Sequence, residues 1–194
     1  MLHGLELCEE CWVKRLLGAF ASELRLYIAN ALIANIPAHW IRALYYRRVM
    51  NFSIGSESSV FMGCRFDCAG GLTIGDRSTV NDGCFLDTRG SISIGNCVAI
   101  TSGVWIITMK HDIEAPDFGG IAASVRICDY AFVGRRAMIL QGCVIGRGAI
   151  LGAGSVLTKS IPDYEVWAGN PAKKIGERRQ RDFSYDCKYV RLFH

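Results

Sequence analysis

Proline and histidine are both scarce in this chain, at 4 each in 194 residues. Charge of one sign is also missing: 22 basic against 18 acidic residues leave a net +4, far from the basic field of a nucleic-acid-binding protein. No basic residue precedes Lys14, while Glu6, Glu9 and Glu10 do, which is unlike a secretory leader. The apolar stretch that follows is interrupted by Glu23, Arg25 and Asn30 well short of about 20 residues, so no spanning helix is expected. These features make the cytoplasm the expected location. Nine cysteines are present, but metal-ligand spacing is not: Cys8 and Cys11 form a lone CxxC without a second pair. So many thiols suit a reducing compartment.

What is there is a period of six. From Ile127 the chain reads in sixes that open on Ile127, Val133, Ile139, Ile145, Leu151 and Leu157, with Ala131, Ala137, Cys143, Ala149 and Ser155 four places on. Six fits neither a helix at about 3.6 residues per turn nor an amphipathic strand at about 2. It fits stacked short strands whose large and small residues recur at equivalent inward positions. The same register begins at Ile54 and runs through Val60, Phe66, Ile74, Val80, Leu86, Ile94, Ile100 and Ile106. There the coil repeats every 20 residues, with extra corner residues at Gly70-Gly71 and Arg89-Gly90, and it shortens to 18 after Ile127. About five coils of three faces follow, a parallel β-helix. Cys64, Cys84 and Cys143 occupy small inward places, where free cysteine acts as a compact hydrophobe. The 21 glycines belong to the regular turns, not to a flexible linker.

Residues 1–50 read as a helical N-terminal cap. Leu16, Leu17, Phe20, Leu24, Tyr27 and Ile28 recur at helical spacing, and a second helix is expected from Pro37 to about Met50, with Arg42, Arg47 and Arg48 at its end. The favoured reading is that the helices cover the open first coil, which would otherwise invite edge pairing. The other reading is contact of their apolar face with a membrane surface. Residues 51–163 form the coil domain, and 164–194 a return segment and tail whose aromatic residues are expected to pack back on the prism. Between Ile106 and Ile127 the register breaks into a long loop that holds His111, the one histidine within the coils. A solenoid gains nothing structurally from such an excursion, so function is expected there.

The run Ile127–Gly176, with Gly152-Ala-Gly-Ser-Val-Leu-Thr-Lys159 and Ala168-Gly-Asn-Pro-Ala-Lys173, resembles the hexapeptide-repeat acyltransferases. Within them it is most similar to sugar and polysaccharide O-acetyltransferases of the maltose and galactoside acetyltransferase type. The resemblance implies a left-handed β-helix and a homotrimer, with acetyl-coenzyme A and a histidine base in the groove between subunits. No metal is required. By resemblance His111 is the catalytic base, oriented by a backbone carbonyl or by a carboxylate such as Asp112 or Glu114. Asn81 and Asp87 would line the acceptor groove. Phe132, Arg135, Ala153, Thr158, Lys159 and Lys173 match the coenzyme A positions, with Phe132 in place of a usual Trp. His111, Asn81, Asp87 and the basic C-terminal run that includes Lys173 each have a plainer reading as solvated surface residues. The alternatives in function are a xenobiotic (antibiotic) acetyltransferase and a non-catalytic β-helix scaffold. A γ-class carbonic anhydrase would need three zinc-binding histidines, which the coils lack.

Overall fold

The structure is a computed structural model that describes residues 9–188. Cys8 of the CxxC pair and the tail aromatics Tyr189 and Phe193 lie outside the described residues. Two helices, α1 (Glu9–Ala31) and α2 (His39–Arg48), precede a parallel β-solenoid. Each full coil contributes a short strand to each of three faces. The first coil uses Ser53–Ile54, Ser59–Val60 and Arg65–Phe66, and the fifth uses Val144–Ile145, Ile150–Leu151 and Val156–Leu157. On the first face Ile54 pairs with Ile74, Ile74 with Ile94, Ile94 with Ile127 and Ile127 with Ile145, so the step of 20 is in register across the early coils.

Beyond the fifth coil Ile161 bridges to Ile145, and Glu165–Gly169 pairs with Ile150–Leu151. The solenoid therefore makes about six turns rather than five. The return segment supplies the extra part-turn because Val166 and Trp167 continue the ladder after the sixfold spacing has lapsed.

The core is the column of sixfold residues. Ile100, Ile106, Ile139, Ile145 and Leu151 are fully buried. The small fourth-place residues pack at the bends, and two of the thiols there donate to the next coil: Cys64 Sγ to Asn81 O and Cys84 Sγ to Thr101 O. At the corner between the first and second faces a ladder of side chains ties coil to coil. The backbone N–H of Ser56 donates to Asp76 Oδ1 at 2.7 Å, that of Asp76 to Asn96 Oδ1 at 2.7 Å, and that of Asn96 to Asp129 Oδ1 at 2.8 Å. Phe183 stacks on Tyr130 with ring centroids 4.9 Å apart, so this part of the tail does pack back.

The helices cover the first coil, one polar side chain per face. Arg47 donates to Ile54 O at 3.2 and 3.1 Å, Arg42 to Val60 O at 3.4 Å, and Asn30 exchanges bonds of 2.8 and 3.0 Å with the Phe66 backbone. These are backbone groups of an otherwise unpaired edge, and satisfying them removes a template for aggregation. Arg42 does not decorate the helix end as its sequence position suggested; it is fully buried and also donates to Ile36 O. Burial lowers its pKa, while Tyr46 and Cys64 act in the opposite sense. Arg42→Met would keep the packing and strand these carbonyls. The expected loss is about 2 kcal/mol of stability, read by urea unfolding.

The cap is oriented contrary to expectation in one respect. The apolar stripe of α1 faces outward, with Leu16, Leu17, Phe20, Leu24 and Tyr27 exposed, while Ala29 is buried and Leu26 packs on the core. The stretch Arg15–Asn35 is also long and apolar enough to cross a membrane by length and composition. Glu23, Arg25 and Asn30 interrupt this stretch without taking it below that length and composition, and Asn30 is used against the solenoid.

Candidate active site

The long loop is a β-hairpin, not an irregular excursion. Met109–His111 pairs antiparallel with Gly120–Ala122, with His111 opposite Gly120. The hairpin leaves the third coil at the edge between the third and first faces, directly after Trp105–Ile106. Its tip is held by Asp112 N–H donating to Gly119 O at 2.8 Å and by Phe118 N–H donating to Ala115 O at 2.9 Å.

His111 is exposed, yet its ring is fixed on two sides. Nδ1 lies 2.7 Å from the carbonyl oxygen of Phe118, and the two rings stack with centroids 4.6 Å apart and planes 6° from parallel. A carbonyl can only accept, so Nδ1 carries the hydrogen and, in the neutral ring, the Nε2 lone pair is left open. Of the orienting groups left open by the sequence, the backbone carbonyl fills the role. Asp112 Oδ1 instead accepts from Glu114 N–H at 3.1 Å. Phe118 was not legible as a site residue, because it acts through a carbonyl that every residue type possesses. The neighbouring Gly119-Gly120 marks a turn but not which carbonyl it turns toward the ring.

Asp87 lies beneath the hairpin and is fully buried. Its carboxylate accepts from Thr108 N–H and Met109 N–H, each at 3.1 Å, and from Arg89 Nε at 2.7 Å. Burial alone would raise its pKa; the hydrogen bonds from Arg89, Thr108 and the Arg89 backbone outweigh it and hold the carboxyl below its usual range. Its contribution to stability is therefore present above the usual carboxylate pKa and lost as pH falls through the lowered value. Arg89, which also reaches Asp67 at 3.1 Å, was read from the sequence only as a corner residue and not as part of a site.

The other candidates divide between two edges that flank the third face. Thr158 and Lys159 follow the fifth-coil strand Val156–Leu157 on the same edge as the hairpin, and both are exposed. Asn81, Arg135 and Ala153 lie on the opposite edge, between the second and third faces. Asn81 Nδ2 donates to Ile100 O at 3.0 Å, and Arg135 O accepts from Gly154 N–H at 2.8 Å. Phe132 stands exposed on the second face between Ala99 and Ile150, and Lys173 pairs with Ala168 in the return segment. Between the two edges the third face presents an outward row of Phe85, Trp105, Met138 and Val156 in register. One chain thus brings His111, Asp87, Thr158 and Lys159 to one edge, and does not bring Asn81, Arg135 or Ala153 to it. Among the described residues no group of three or more His, Cys, Asp or Glu is placed to hold a metal ion.

Residues 124–159 match the bacterial transferase hexapeptide family (six repeats). A maltose O-acetyltransferase from Clostridium difficile 630 is 27% identical, with a TM-score of 0.70 over 84% of this chain and 86% of that one. A hexapeptide-repeat acetyltransferase from Vibrio cholerae O1 biovar eltor, solved with acetyl-coenzyme A, is 22% identical with a TM-score of 0.73 over 93% of this chain and 94% of that one; at that identity the likeness is one of fold. A chloramphenicol acetyltransferase from Klebsiella aerogenes is 40% identical over 57 residues, 29% of this chain and 27% of that protein. The matched stretches span only about a quarter of the length of the curated relatives, 23% to 27%. Residues 124–159 thus carry the hexapeptide repeat of that family, and the chain as a whole shares the fold of these acetyltransferases.

Proposed function

We propose that the protein is an acetyltransferase that moves an acetyl group from acetyl-coenzyme A directly to a hydroxyl of a sugar or surface polysaccharide, with His111 as general base. The observation that carries this reading is the 2.7 Å contact of His111 Nδ1 with Phe118 O, which leaves Nε2 open as a base on a fixed ring. The maltose acetyltransferase likeness supports the acceptor class, and the complexed Vibrio cholerae structure supports the co-substrate. The residues present fit that co-substrate chemically. Ala153 is small and exposed, Gly154 beside it has open space, and Phe132 offers an apolar wall. Arg135, Lys159 and Lys173 are exposed cations suited to its phosphates.

The thioester supplies an electrophilic carbonyl carbon. His111 Nε2 takes the acceptor's hydroxyl proton as its oxygen bonds to that carbon. The imidazolium then returns the proton to the departing thiol as the carbon–sulfur bond breaks. Atoms and charge balance without a covalent acyl-enzyme. Several of the cysteines that could carry an acyl group are buried, and burial raises Cys143 above the usual thiol range.

The division of candidates between two edges supports a homotrimer, in which one chain's hairpin edge meets the Asn81–Arg135–Ala153 edge of its neighbour. Asn81 then belongs to the acceptor groove. Asp87, with its carboxylate occupied by the hairpin's N–H groups, serves that groove by holding the base in place.

The chloramphenicol acetyltransferase relative favours a second reading, the same transfer with an antibiotic hydroxyl as acceptor. Thiol release from acetyl-coenzyme A across sugars, glycan oligomers and chloramphenicol tests both. Turnover above background only with a carbohydrate supports the first reading, and turnover only with chloramphenicol replaces it by the second. Release with no acceptor in the panel, together with no acetyl-coenzyme A binding in calorimetry, would leave a scaffold.

A further inference from the structure

The outward stripe on the N-terminal cap has no role in the solenoid or in the transfer chemistry. An amphipathic helix of a soluble domain ordinarily turns its apolar stripe inward. In α1 the reverse holds. At 100° per residue, Leu16, Leu17, Phe20, Leu24 and Tyr27 fall within an arc of about 100°, and all of them are exposed, Phe20 at 66% and Tyr27 at 65%. The helix rests on the first coil through Leu26, Ala29 and Asn30 instead.

In α2 the exposed positions four apart are Trp40, at 70%, then Leu44 and Arg48. Across residues 15–50 the exposed charges are Arg15, Arg47 and Arg48 against Glu23 alone. Over residues 15–50 the outer surface of the cap thus combines aliphatic, Trp and Tyr side chains with an excess of arginine.

We propose that this outer face of α1 and α2 docks on an anionic phospholipid surface, with the apolar stripe in the interfacial layer and the arginines on lipid phosphates. Trp and Tyr prefer that layer, and each cation near an anionic surface adds to binding. The charge balance selects this occupant over a second copy of the chain. Two such faces would set Arg15 and Arg48 against their copies with one glutamate each to offset them, whereas lipid phosphates complement both.

Two contacts argue that α1 lies on the surface rather than crossing it. Asn30 exchanges hydrogen bonds with the Phe66 backbone, and Tyr45 Oη donates to Arg25 O at 2.8 Å. The first holds the second half of the helix against the solenoid, and the second ties it to α2, which itself rests on the first coil. The inference is independent of the chemistry proposed at His111.

The test is flotation of the full chain with phosphatidylcholine vesicles, with and without phosphatidylglycerol. The expected result is co-flotation with the anionic vesicles, weakened by salt and much reduced with neutral ones. The double variant Phe20→Ser, Leu24→Ser alters only exposed positions and is expected to bind at least about tenfold more weakly. Arg15→Glu with Arg48→Glu should remove the preference for anionic lipid. A blue shift of tryptophan emission on adding vesicles, lost in Trp40→Phe, would locate the contact without relying on the serine variants. Failure of the wild-type chain to float with either vesicle overturns the proposal. So does undiminished binding by the serine variant. Sedimentation equilibrium in which Phe20→Ser, Leu24→Ser dissociates an assembly of chains, with no vesicle binding, would assign the face to a second copy.

Discussion

His111→Ala should lower the catalytic constant by about 10²–10⁴-fold, the range for loss of a positioned general base, while acetyl-coenzyme A affinity in calorimetry stays nearly unchanged. The reason is local. A hydroxyl near neutral pH is a poor nucleophile, and the imidazole on the hairpin is held by the Phe118 carbonyl and the Phe118 ring in one orientation. Glu114→Gln is the matching control. The ring takes its orientation from Phe118, so removing this carboxylate should leave turnover little altered. Near-full turnover by His111→Ala with the best acceptor would move the base elsewhere.

Gly71→Ala should destabilise the fold by about 3 kcal/mol or more, while Gly70→Ala costs about 1 kcal/mol. Both residues have positive φ, 70° and 77°, where an L side chain costs about 1–2 kcal/mol. They differ in what a Cβ would meet. At Gly71 it would stand 2.1 Å from the carbonyl oxygen of Thr88 on the next coil; at Gly70 nothing lies within 4 Å. The contact at Gly71 is with backbone, so relief requires separating two coils, and overpacking of this kind adds about 1–3 kcal/mol. Thermal unfolding of the two variants at equal protein concentration checks the difference. Equal melting temperatures would mean that the corner can open at little cost.

The sixfold column was legible because the repeat is long and its inward positions chemically narrow. Ile94, Ile100 and Ile106 are buried as the spacing demands, and the two-residue excess at Gly70-Gly71 appears as a real corner. The cap was legible only as a pair of helices. Periodicity reports which residues share a face, and says nothing of the direction in which that face is turned. Leu16, Phe20 and Leu24 were therefore grouped correctly and expected inward, while the edge of the first coil is covered by Arg42, Arg47 and Asn30. Those polar residues look like surface decoration in a sequence, since only the unpaired carbonyls of the first coil require them.

At the hairpin, the histidine stood out by type and by position in the break. Its partner did not, being a main-chain oxygen seven residues on. Asp87 was legible as a polar residue after Leu86, but the N–H groups that occupy its carboxylate belong to Thr108 and Met109, some twenty residues away.

The stacking of coils also makes the solenoid a ruler. Neighbouring parallel strands are about 4.8 Å apart, and the hairpin bearing His111 leaves the third coil while the cap rests on the first. Along the prism axis the base therefore stands roughly 10 Å from the capped coil. A chain with one more whole coil between them would move it outward by one further step of about 4.8 Å and leave its immediate surroundings unaltered. An insertion of a single residue within a strand has no such freedom, because it would turn that strand's inward side chain out of the column; extra residues are taken up at the corners, as at Gly70-Gly71.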